Sequence, residues 1–282
     1  MAELISILVR SHNDEAFAEA TLKAIFGQEI SLPFEVVCCD DASADRTPEI
    51  IAAFPEVRLL PRPEGAYFPG KRLNYMVRQS RGDIVVFNNA DAVPQDRFWL
   101  RNLIAPLLDG SADAVYGNQL PRRDARLLVC KDNLRAFGDG QIAAHWRFFF
   151  SLATSAMRRA DLLMHPFDES IRYSEDVEWA HRRMIRIAYA ADARVEHSHN
   201  YTLEELKRRF YGEGYADAQI FDDTPELLKE LLSAARETVR DVFFLLKHPK
   251  GLPELPAAPV RRFCQRYYHW KGVRDYVRDH HV

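Results

Sequence analysis

Apolar and polar positions repeat with two different periods along the first hundred residues of the chain. Four runs rich in β-branched and other apolar residues predict strands, and three segments with apolar residues every three to four positions predict helices between them. The predicted strands cover residues 4–11, 33–43, 57–65 and 83–94, and the predicted helices cover residues 16–28, 45–54 and 72–82, the last ended by Gly82. This alternation is typical of an α/β fold with a doubly wound sheet.

The second half of the chain changes character. A strand with a basic loop, a strand leading into a helix, a helix opened by Ser174 and a short strand are predicted over residues 112–125, 148–163, 172–188 and 193–201. The short strand would place His197 and His199 on one face, because side chains two apart in a strand point the same way. From residue 203 the pattern is helical, with a proline-broken linker at 249–259 and a basic, aromatic tail at 261–281.

Composition places the chain among ordinary globular proteins. Its 282 residues, 47% hydrophobic and 28% charged, suffice for one large domain, or one domain plus an appendage. A net charge of −3 gives no overall basic field, so we expect no nucleic-acid partner, and no apolar run approaches membrane-spanning length. The N-terminus shows no signal-peptide pattern, and the four cysteines show no metal or disulfide spacing. A cytoplasmic location is therefore expected.

Polar side chains follow three of the predicted strands at the point where each strand ends. They are Arg10, Ser11 and His12 after the first strand, Asp40 and Asp41 after the second, and Asn88, Asn89 and Asp91 after the fourth. Ligands of doubly wound sheets bind beyond the carboxyl ends of strands, so we expect these side chains to converge on one polar site. Two local alternatives stay open: Asp91 as part of a turn or helix cap, and residues 40–47 as an acid-rich turn capping the next helix.

Five short motifs occur in the order and at roughly the spacing of one enzyme family. They read "ISILVRSHNDE", "EVVCCDDASADRT", "RGDIVVFNNADAVP", "SEDVEWAHR" and "VEHSHNYT". In these the chain resembles the inverting family-2 nucleotide-sugar glycosyltransferases of the GT-A fold, and most of all their rhamnosyltransferase-like branch. The resemblance covers roughly residues 4–222 and implies a mixed sheet flanked by helices. We therefore expect a catalytic domain over residues 1–222 and, from the helical pattern alone, a C-terminal helical extension over residues 223–282.

The resemblance also implies roles for the side chains at the strand ends. Asp41, with Asp40 nearby, would bind the base or ribose of a nucleotide sugar, and Arg10 and His12 would line the base pocket. Asn89 would bind the ribose or coordinate a metal ion through its amide carbonyl oxygen. Lys71 and Arg72 would neutralise the diphosphate, with a solvated pair of cations as the alternative.

A divalent metal is expected to bridge the two phosphates of the donor. The family usually carries an Asp-x-Asp element here, which reads Asn89-Ala90-Asp91 in this chain. By resemblance, Asp91 would bind Mg²⁺ or Mn²⁺, with His197 and His199 completing the coordination. Because the amide of Asn89 brings no charge, the metal affinity is expected to be lower than in a site with two acids.

Inversion at an anomeric carbon needs one base that takes the proton from the acceptor hydroxyl. "SEDVEW" resembles the family's Glu-Asp pair, which assigns Asp176 as the base and Glu175 as second choice or as an acceptor-binding group. The alternative is that both acids only favour the N-terminus of a helix. A position at a helix N-terminus would also hold the pKa of the base down.

Three functions follow from these expectations. The first is an inverting transferase that moves rhamnose from dTDP-rhamnose to a hydroxyl of a bacterial cell-surface glycan precursor, free or lipid-linked. The second uses a UDP- or GDP-hexose donor on the same fold. The third is a catalytically weakened protein that binds a sugar nucleotide or glycan. The basic tail would either touch a membrane at its inner face or pack on the catalytic domain or a second subunit in a homodimer.

Overall fold

A mixed sheet of eight strands is the frame of the part of the chain that the computed structural model describes, residues 4–146 and 148–280. The strands are β1 (Ile5–Ser11), β2 (Phe34–Asp40), β3 (Val57–Leu60), β4 (Ile84–Asn89), β5 (Val93–Pro94), β6 (Ala114–Leu120), β7 (Thr154–Arg158) and β8 (Ile187–Glu196). Their order across the sheet is β3-β2-β1-β4-β7-β6-β8-β5. The ends of the chain beyond residues 4 and 280, including the last residue of the predicted tail, lie outside the described residues.

Strand direction divides the sheet into two halves. The strands β3, β2, β1 and β4 are mutually parallel, whereas β7 runs antiparallel to both β4 and β6. β8 pairs parallel with β6, and β5 pairs antiparallel with β8. The predicted mixed sheet is therefore confirmed, and its parallel half is the part that the sequence pattern predicted strand by strand.

Ten α-helices surround or follow the sheet in the described residues. They are α1 (Ala18–Phe26), α2 (Thr47–Ala52), α3 (Pro69–Gln79), α4 (Trp99–Leu108), α5 (Leu127–Ala136), α6 (Arg159–Met164), α7 (Glu175–Arg183), α8 (Leu203–Phe221), α9 (Leu227–Leu246) and α10 (Ala257–His280), with 3-10 helices at Ala143–His145 and Pro249–Glu254. Helices α1, α2 and α4 pack on one face of the sheet, and α3, α6 and α7 pack on the other. Both faces of β1 to β4 are thus covered, which explains why their sequences are apolar throughout.

Several predicted boundaries are wrong. Helix α3 ends at Gln79, not at Gly82, and a Cβ on Gly82 would lie 2.6 Å from the backbone nitrogen of Ser6, so this glycine permits a close backbone approach. Ser174 does not cap α7 with the extended backbone of an N-cap, because its φ is +59°. The proline-rich segment after α9 is a 3-10 helix, not an open linker.

The observed bounds of α7 and β8 also differ from the predicted ones. Helix α7 ends at Arg183, and the next residue, Met184, has a left-handed φ of +48°. Strand β8 then begins at Ile187 and ends at Glu196. His197 and His199 therefore follow the strand instead of lying on it.

The chain forms two compact units. The first contains the sheet with helices α1 to α4, α6 and α7; the second contains α8, α9 and α10 with the short segments Arg123–Asp132 and Ile171–Ser174. Helix α8 thus packs with the C-terminal helices, while the domain boundary at residue 222 stays a prediction.

Glycines set the crossing of α8 and α10 within the second unit. A Cβ on Gly272 would overlap the carbonyl oxygen of Tyr211 and lie 2.7 Å from the nitrogen of Tyr215, and a Cβ on Gly214 would lie 2.7 Å from the carbonyl carbon of His269. Such closeness requires residues without side chains at both positions. The tail therefore packs on α8 within the second unit. Its contact with the catalytic domain, with a second subunit or with a membrane stays a prediction.

We expect Gly272→Ala to lower the free energy of unfolding by about 1–3 kcal/mol, because the added methyl group must push two backbones apart. Denaturant or thermal unfolding measures the change. Ala235→Ser is the matched control, since it adds one atom at an exposed position of α9 in the same unit. Equal stability of Gly272→Ala and the control would show that the helices do not approach as closely as described.

Candidate active site

The three polar strand ends predicted from the sequence do meet at one edge of the sheet. Strand β1 lies between β2 and β4, with Ser11 paired in register with Asp40 and Arg10 paired with Asn89. Because the three strands are parallel, their carboxyl ends point to the same side. The predicted convergence is confirmed, and it places acids, amides and one arginine within reach of each other.

Asn88 shapes the turn that carries Asp91. Its side chain is 1% exposed, and its amide nitrogen donates to the carbonyl oxygens of Asn89 at 3.0 Å and Ala92 at 2.8 Å. These bonds close the backbone around the residues between them. The local turn explanation therefore accounts for Asn88, and it leaves the carboxylate of Asp91 to be explained by its own contacts.

Asp91 is an acid that is only 7% exposed. Its Oδ2 accepts a hydrogen bond from Arg122 at 3.1 Å, and the same guanidinium nitrogen donates to the Asp91 carbonyl oxygen at 2.7 Å. Its Oδ1 lies 3.4 Å from Nε2 of His197. One oxygen of this buried carboxylate accepts from an arginine, and the other faces an imidazole. A helix cap needs neither contact, so the carboxylate is positioned to bind a ligand.

His197 is oriented by a glutamine behind it. Its Nδ1 lies 2.7 Å from Oε1 of Gln119, whose amide nitrogen donates to Ser151 at 2.8 Å. Since a carbonyl oxygen only accepts, Nδ1 carries the hydrogen, and Nε2 is the ring atom that faces Asp91. Carboxylate and imidazole are both ligand types of divalent cations. His199, two residues further along the chain, is the first residue of the second unit after β8.

Arg122 is one residue of this site that the sequence analysis missed. Its guanidinium carbon lies 3.6 Å from the centre of the Phe17 ring, and it donates to the Ser198 carbonyl oxygen at 2.7 Å as well as to Asp91. One side chain thus ties the end of β4 to the segment that carries His197. The signal in the sequence was the basic loop after β6, which by itself did not tell which arginine turns inward.

Arg10 connects the strand ends to helix α7. It donates to Oε1 of Glu175 at 3.4 Å and to Oδ1 of Asn89 at 3.2 Å. Glu175 is buried, and its neighbour Asp176 is half-buried. The predicted catalytic pair therefore lies on the same edge of the sheet as Asn89, bridged to it by the guanidinium of Arg10.

Burial and the negative charge of Glu175 together raise the pKa of Asp176 to about 7, although hydrogen bonds from the backbone at Val177 and Leu152 and the charge of Arg10 act in the opposite direction. This contradicts our expectation that the helix N-terminus would hold the pKa of the base down. A carboxylate with a pKa near neutrality is a stronger base than an ordinary aspartate, which suits proton abstraction from a hydroxyl.

Asp41 is held by two arginines. Arg72 donates to its Oδ1 at 2.7 Å and Arg62 donates to the same oxygen at 2.9 Å. Arg72 is 4% exposed, so the solvated alternative is wrong for this residue. Lys71 is exposed on the first turn of α3, with its ammonium 4.9 Å from the Phe68 ring centre. Of the two predicted cations, Arg72 therefore turns inward to Asp41, and Lys71 faces solvent.

Hydrogen bonds from Ser11 and Ser43 satisfy both carboxylate oxygens of Asp40. Its Oδ1 accepts from the hydroxyls of Ser11 at 2.8 Å and Ser43 at 2.6 Å, and its Oδ2 accepts from the Ser43 backbone at 2.9 Å. These contacts match the alternative of an acid-rich turn for Asp40. A nucleotide-binding role for this residue stays a prediction.

The loop after β1 brings a further acid to the site. His12 is exposed, with Nδ1 2.8 Å from the Asp41 carbonyl oxygen. Asp14 was not predicted, yet burial raises its pKa to about 6, with the negative charges of Asp91 and Asp45 adding to the shift although a hydrogen bond from the His12 backbone lowers it. Acids crowded near Asp91 create a negative region that favours cation binding.

This fold and site define a class: a GT-A sheet with an acid and imidazole at the end of β4 and a Glu-Asp pair on the same edge. The family model "Glycosyl transferase family 2" matches residues 6–164, more than half of the chain. The chain therefore belongs to glycosyl transferase family 2 and is a glycosyltransferase.

Two curated proteins extend the likeness over most of the chain. The chain is 26% identical over 274 residues to the O-antigen chain rhamnosyltransferase WbaN of Salmonella anatum, covering 88% of this chain and 84% of the relative. It is also 26% identical over 290 residues to the O-antigen chain rhamnosyltransferase RfbN of Salmonella typhimurium, covering 95% and 91%. The predicted rhamnosyltransferase-like resemblance is confirmed.

Solved structures confirm the GT-A fold. The mannosyltransferase PcManGT of Pyrobaculum calidifontis, solved with GDP-Man and Mn²⁺, aligns with a TM-score of 0.65 at 20% identity, covering 99% of this chain and 88% of the other. Glucosyl-3-phosphoglycerate synthase of Mycobacterium tuberculosis, solved with Mn²⁺, UDP and phosphoglyceric acid, aligns with a TM-score of 0.58 at 22% identity, covering 78% and 79%.

Proposed function

We propose that the chain is an inverting, metal-dependent transferase that moves rhamnose from dTDP-rhamnose to a hydroxyl of a bacterial cell-surface glycan precursor. The observation that carries the chemistry is the placement of two separate acidic groups on one edge of the sheet. Asp91 with His197 forms one, and Glu175 with Asp176 forms the other. Arg10 donates to Glu175 and to Asn89, which lies two residues before Asp91. The two rhamnosyltransferases of Salmonella support the choice of sugar.

Donor recognition falls to the ends of β1, β2 and β4. We assign the base and ribose to Asp41, with Asp40 and His12 beside it, and to Asn89. Both guanidiniums that reach Asp41 use its Oδ1, so its Oδ2 can accept from the base or ribose. Lys71, exposed at the start of α3, would serve the diphosphate. Arg10 would hold Glu175 and Asn89 in place during the reaction.

Asp91 and His197 are the proposed metal ligands, and His199 stays a prediction as a further ligand. The donor set of carboxylate and imidazole fits Mn²⁺, and it also admits Mg²⁺. Such an ion, when bound, supplies positive charge to the leaving diphosphate. The chain's own contribution is orientation, since Arg122 fixes the Asp91 carboxylate and Gln119 fixes the tautomer of His197.

Asp176 is the proposed general base. Its carboxylate would accept the proton of the acceptor hydroxyl while that oxygen attacks the anomeric carbon and the diphosphate leaves from the opposite side. A single displacement of this kind inverts the configuration. Glu175, paired with Arg10, would orient the acceptor.

We expect the pH profile of kcat/KM to report Asp176. The base must be ionised, so activity should rise about tenfold per pH unit below a pKa of about 7 and level off above it. Initial rates between pH 5 and pH 9 with saturating Mn²⁺ measure the profile. A profile flat down to pH 5 would contradict the assignment.

A donor panel tests the proposal and its alternatives. dTDP-, UDP- and GDP-sugars are incubated with the protein in Mn²⁺ or EDTA, and free nucleoside diphosphate is measured. Release from dTDP-rhamnose that EDTA abolishes supports the proposal. Release only from a UDP- or GDP-hexose would replace the donor, an alternative motivated by the GDP-Man and UDP complexes of the structural neighbours. Donor binding without release would favour the sugar-nucleotide-binding alternative, which Asn89 in place of an acid motivates.

The remaining expectations concern the surroundings of the enzyme. Among the helices of the described residues, none combines the length and apolarity needed to cross a bilayer. We retain a glycan or lipid-linked glycan as the proposed acceptor, and a homodimer as a prediction that a solution mass measurement can decide.

A further inference from the structure

Helix α9 turns its acidic residues inward. Asp241 is fully buried and pairs with Arg262 of α10 at 2.6 Å and with Lys131, while Glu237 pairs with Arg266. Ion pairs of this kind satisfy charges that burial would otherwise make costly. The inner face of this amphipathic helix is therefore the charged one.

The outer face of α9 is apolar. Five large apolar side chains, each more than half exposed, repeat at helical spacing along it: Leu228, Leu232, Val239, Phe243 and Leu246. At 100° per residue they form one continuous stripe, the apolar stripe, along 20 residues of helix. Scattered exposed apolar residues are ordinary, but a continuous stripe of this length marks an interaction surface.

Basic residues line one edge of the apolar stripe. They are Lys229, Arg236, Arg240 and Lys247, all exposed, and Lys250 follows after the helix. Within α9 itself, which the structure describes completely, Glu230, Glu237 and Asp241 are the acids, and none of them is exposed. The outward charges within Leu227–Leu246 are therefore all positive, and the exposed Glu226 that precedes the helix pairs with Lys229 at 3.2 Å.

We propose that the apolar stripe and its basic edge bind the surface of an anionic lipid bilayer, with α9 lying in the plane of the interface. An interfacial helix buries an apolar face at the boundary of headgroups and acyl chains and presents lysine and arginine to anionic headgroups. The surface of α9 has both elements, side by side on one helix. This inference concerns α9 and does not rest on the identity of the sugar donor.

Charge favours this occupant over a second copy of the chain. Two copies packed through the apolar stripe would find no exposed acid within α9 of the other copy to pair with the basic edge, and an antiparallel pair would bring the two basic edges together. Like charges placed along an interface oppose association. An anionic bilayer, in contrast, is complementary to Arg236, Arg240 and Lys247 of the basic edge, while Lys229 also pairs with Glu226.

Vesicle binding tests the proposal with the full chain. Sedimentation with vesicles of phosphatidylcholine alone, and of phosphatidylcholine with phosphatidylglycerol, gives the partition coefficient. We expect binding to the anionic vesicles only. Arg236→Gln with Arg240→Gln should weaken it on the order of 20-fold, since each basic residue near an anionic surface contributes a factor of about 5. Leu232→Ser with Phe243→Ser should weaken it by at least about tenfold.

Matched controls remove the same charge or apolar area elsewhere. Arg46→Gln with Arg208→Gln removes two exposed arginines, and Met164→Ser with Met184→Ser removes two exposed apolar side chains. Circular dichroism confirms that each variant folds. Three results would overturn the proposal: no binding to anionic vesicles, equal binding to neutral vesicles, or equal loss in the controls. A dimer in solution that Leu232→Ser with Phe243→Ser converts to a monomer would also overturn it.

Discussion

Asp176→Asn is expected to lower kcat about 10³-fold while donor affinity stays within a few-fold of the wild type. The amide has nearly the shape of the carboxylate but cannot accept the proton of the acceptor hydroxyl, and positioned general bases contribute typically 10²–10⁴-fold. Rates of nucleoside diphosphate release with Mn²⁺ measure kcat, and calorimetry measures donor affinity.

The melting temperature of Asp176→Asn shows whether activity is lost because the base is missing or because the protein no longer folds. The folded chain raises the pKa of Asp176 to about 7, so ionising this group opposes folding as the pH rises from its unfolded pKa, near 4, towards 7. The neutral amide avoids this cost, and Asp176→Asn should melt at or above the wild-type temperature at pH 8. Glu175→Gln is the matched control on the same helix, with a smaller expected loss of activity. A large loss in Glu175→Gln with Asp176→Asn nearly active would exchange the two roles.

Asp91→Asn is expected to weaken Mn²⁺ binding by at least about 100-fold and to reduce activity by a similar factor at subsaturating metal. Changes to groups that merely orient a ligand cost 10–100-fold, so loss of a ligand charge should cost no less. Because Asn89 already replaces one acid of the usual pair, Asp91 supplies the carboxylate of this element alone. Electron paramagnetic resonance of Mn²⁺ gives the affinity without relying on turnover.

The control for this substitution is Asp192→Asn. Asp192 is an aspartate of β8 whose side chain is 77% exposed, so its substitution removes the same charge at a solvent-exposed position that is not one of the predicted ligands. Equal Mn²⁺ affinity of Asp91→Asn and Asp192→Asn would remove Asp91 from the proposed metal site.

The parallel half of the sheet could be predicted from the sequence because its signal is local. Strands β1, β2 and β4 are covered on both faces, so each reads as an apolar run that stops at polar residues. Parallel neighbours end on the same side, and the meeting of Arg10, Asp40 and Asn89 follows from that geometry alone. The five sequence motifs around these residues indicated the glycosyltransferase family.

The side chains that contact these residues could not be predicted in the same way. Arg122 touches Asp91 across 31 positions and Ser198 across 76, so its role depends on where the loop after β6 folds. Neighbouring basic residues look alike in sequence, and only packing shows that Arg72 turns to Asp41 while Lys71 faces solvent. The raised pKa of Asp176 likewise depends on burial, which outweighs the local helix effect that the sequence suggested.

The end of α7 and the length of β8 were missed for a different reason. Residues 184–194 mix small, basic and apolar side chains without a clear period, so neither a helix nor a strand pattern dominates. The left-handed backbone at Met184 separates the two elements. His197 thus lies beyond the strand end, where Gln119 orients it toward Asp91.

The configuration of the transferred sugar tests the central claim most directly. Time-resolved proton NMR of the wild-type chain with dTDP-rhamnose and Mn²⁺ gives the anomeric form of the first product, whether the acceptor is a glycan or water. Displacement with Asp176 as the base predicts an anomeric configuration opposite to that of the donor. Retention of the donor's configuration would contradict the account, because one base acting opposite the leaving group cannot produce it.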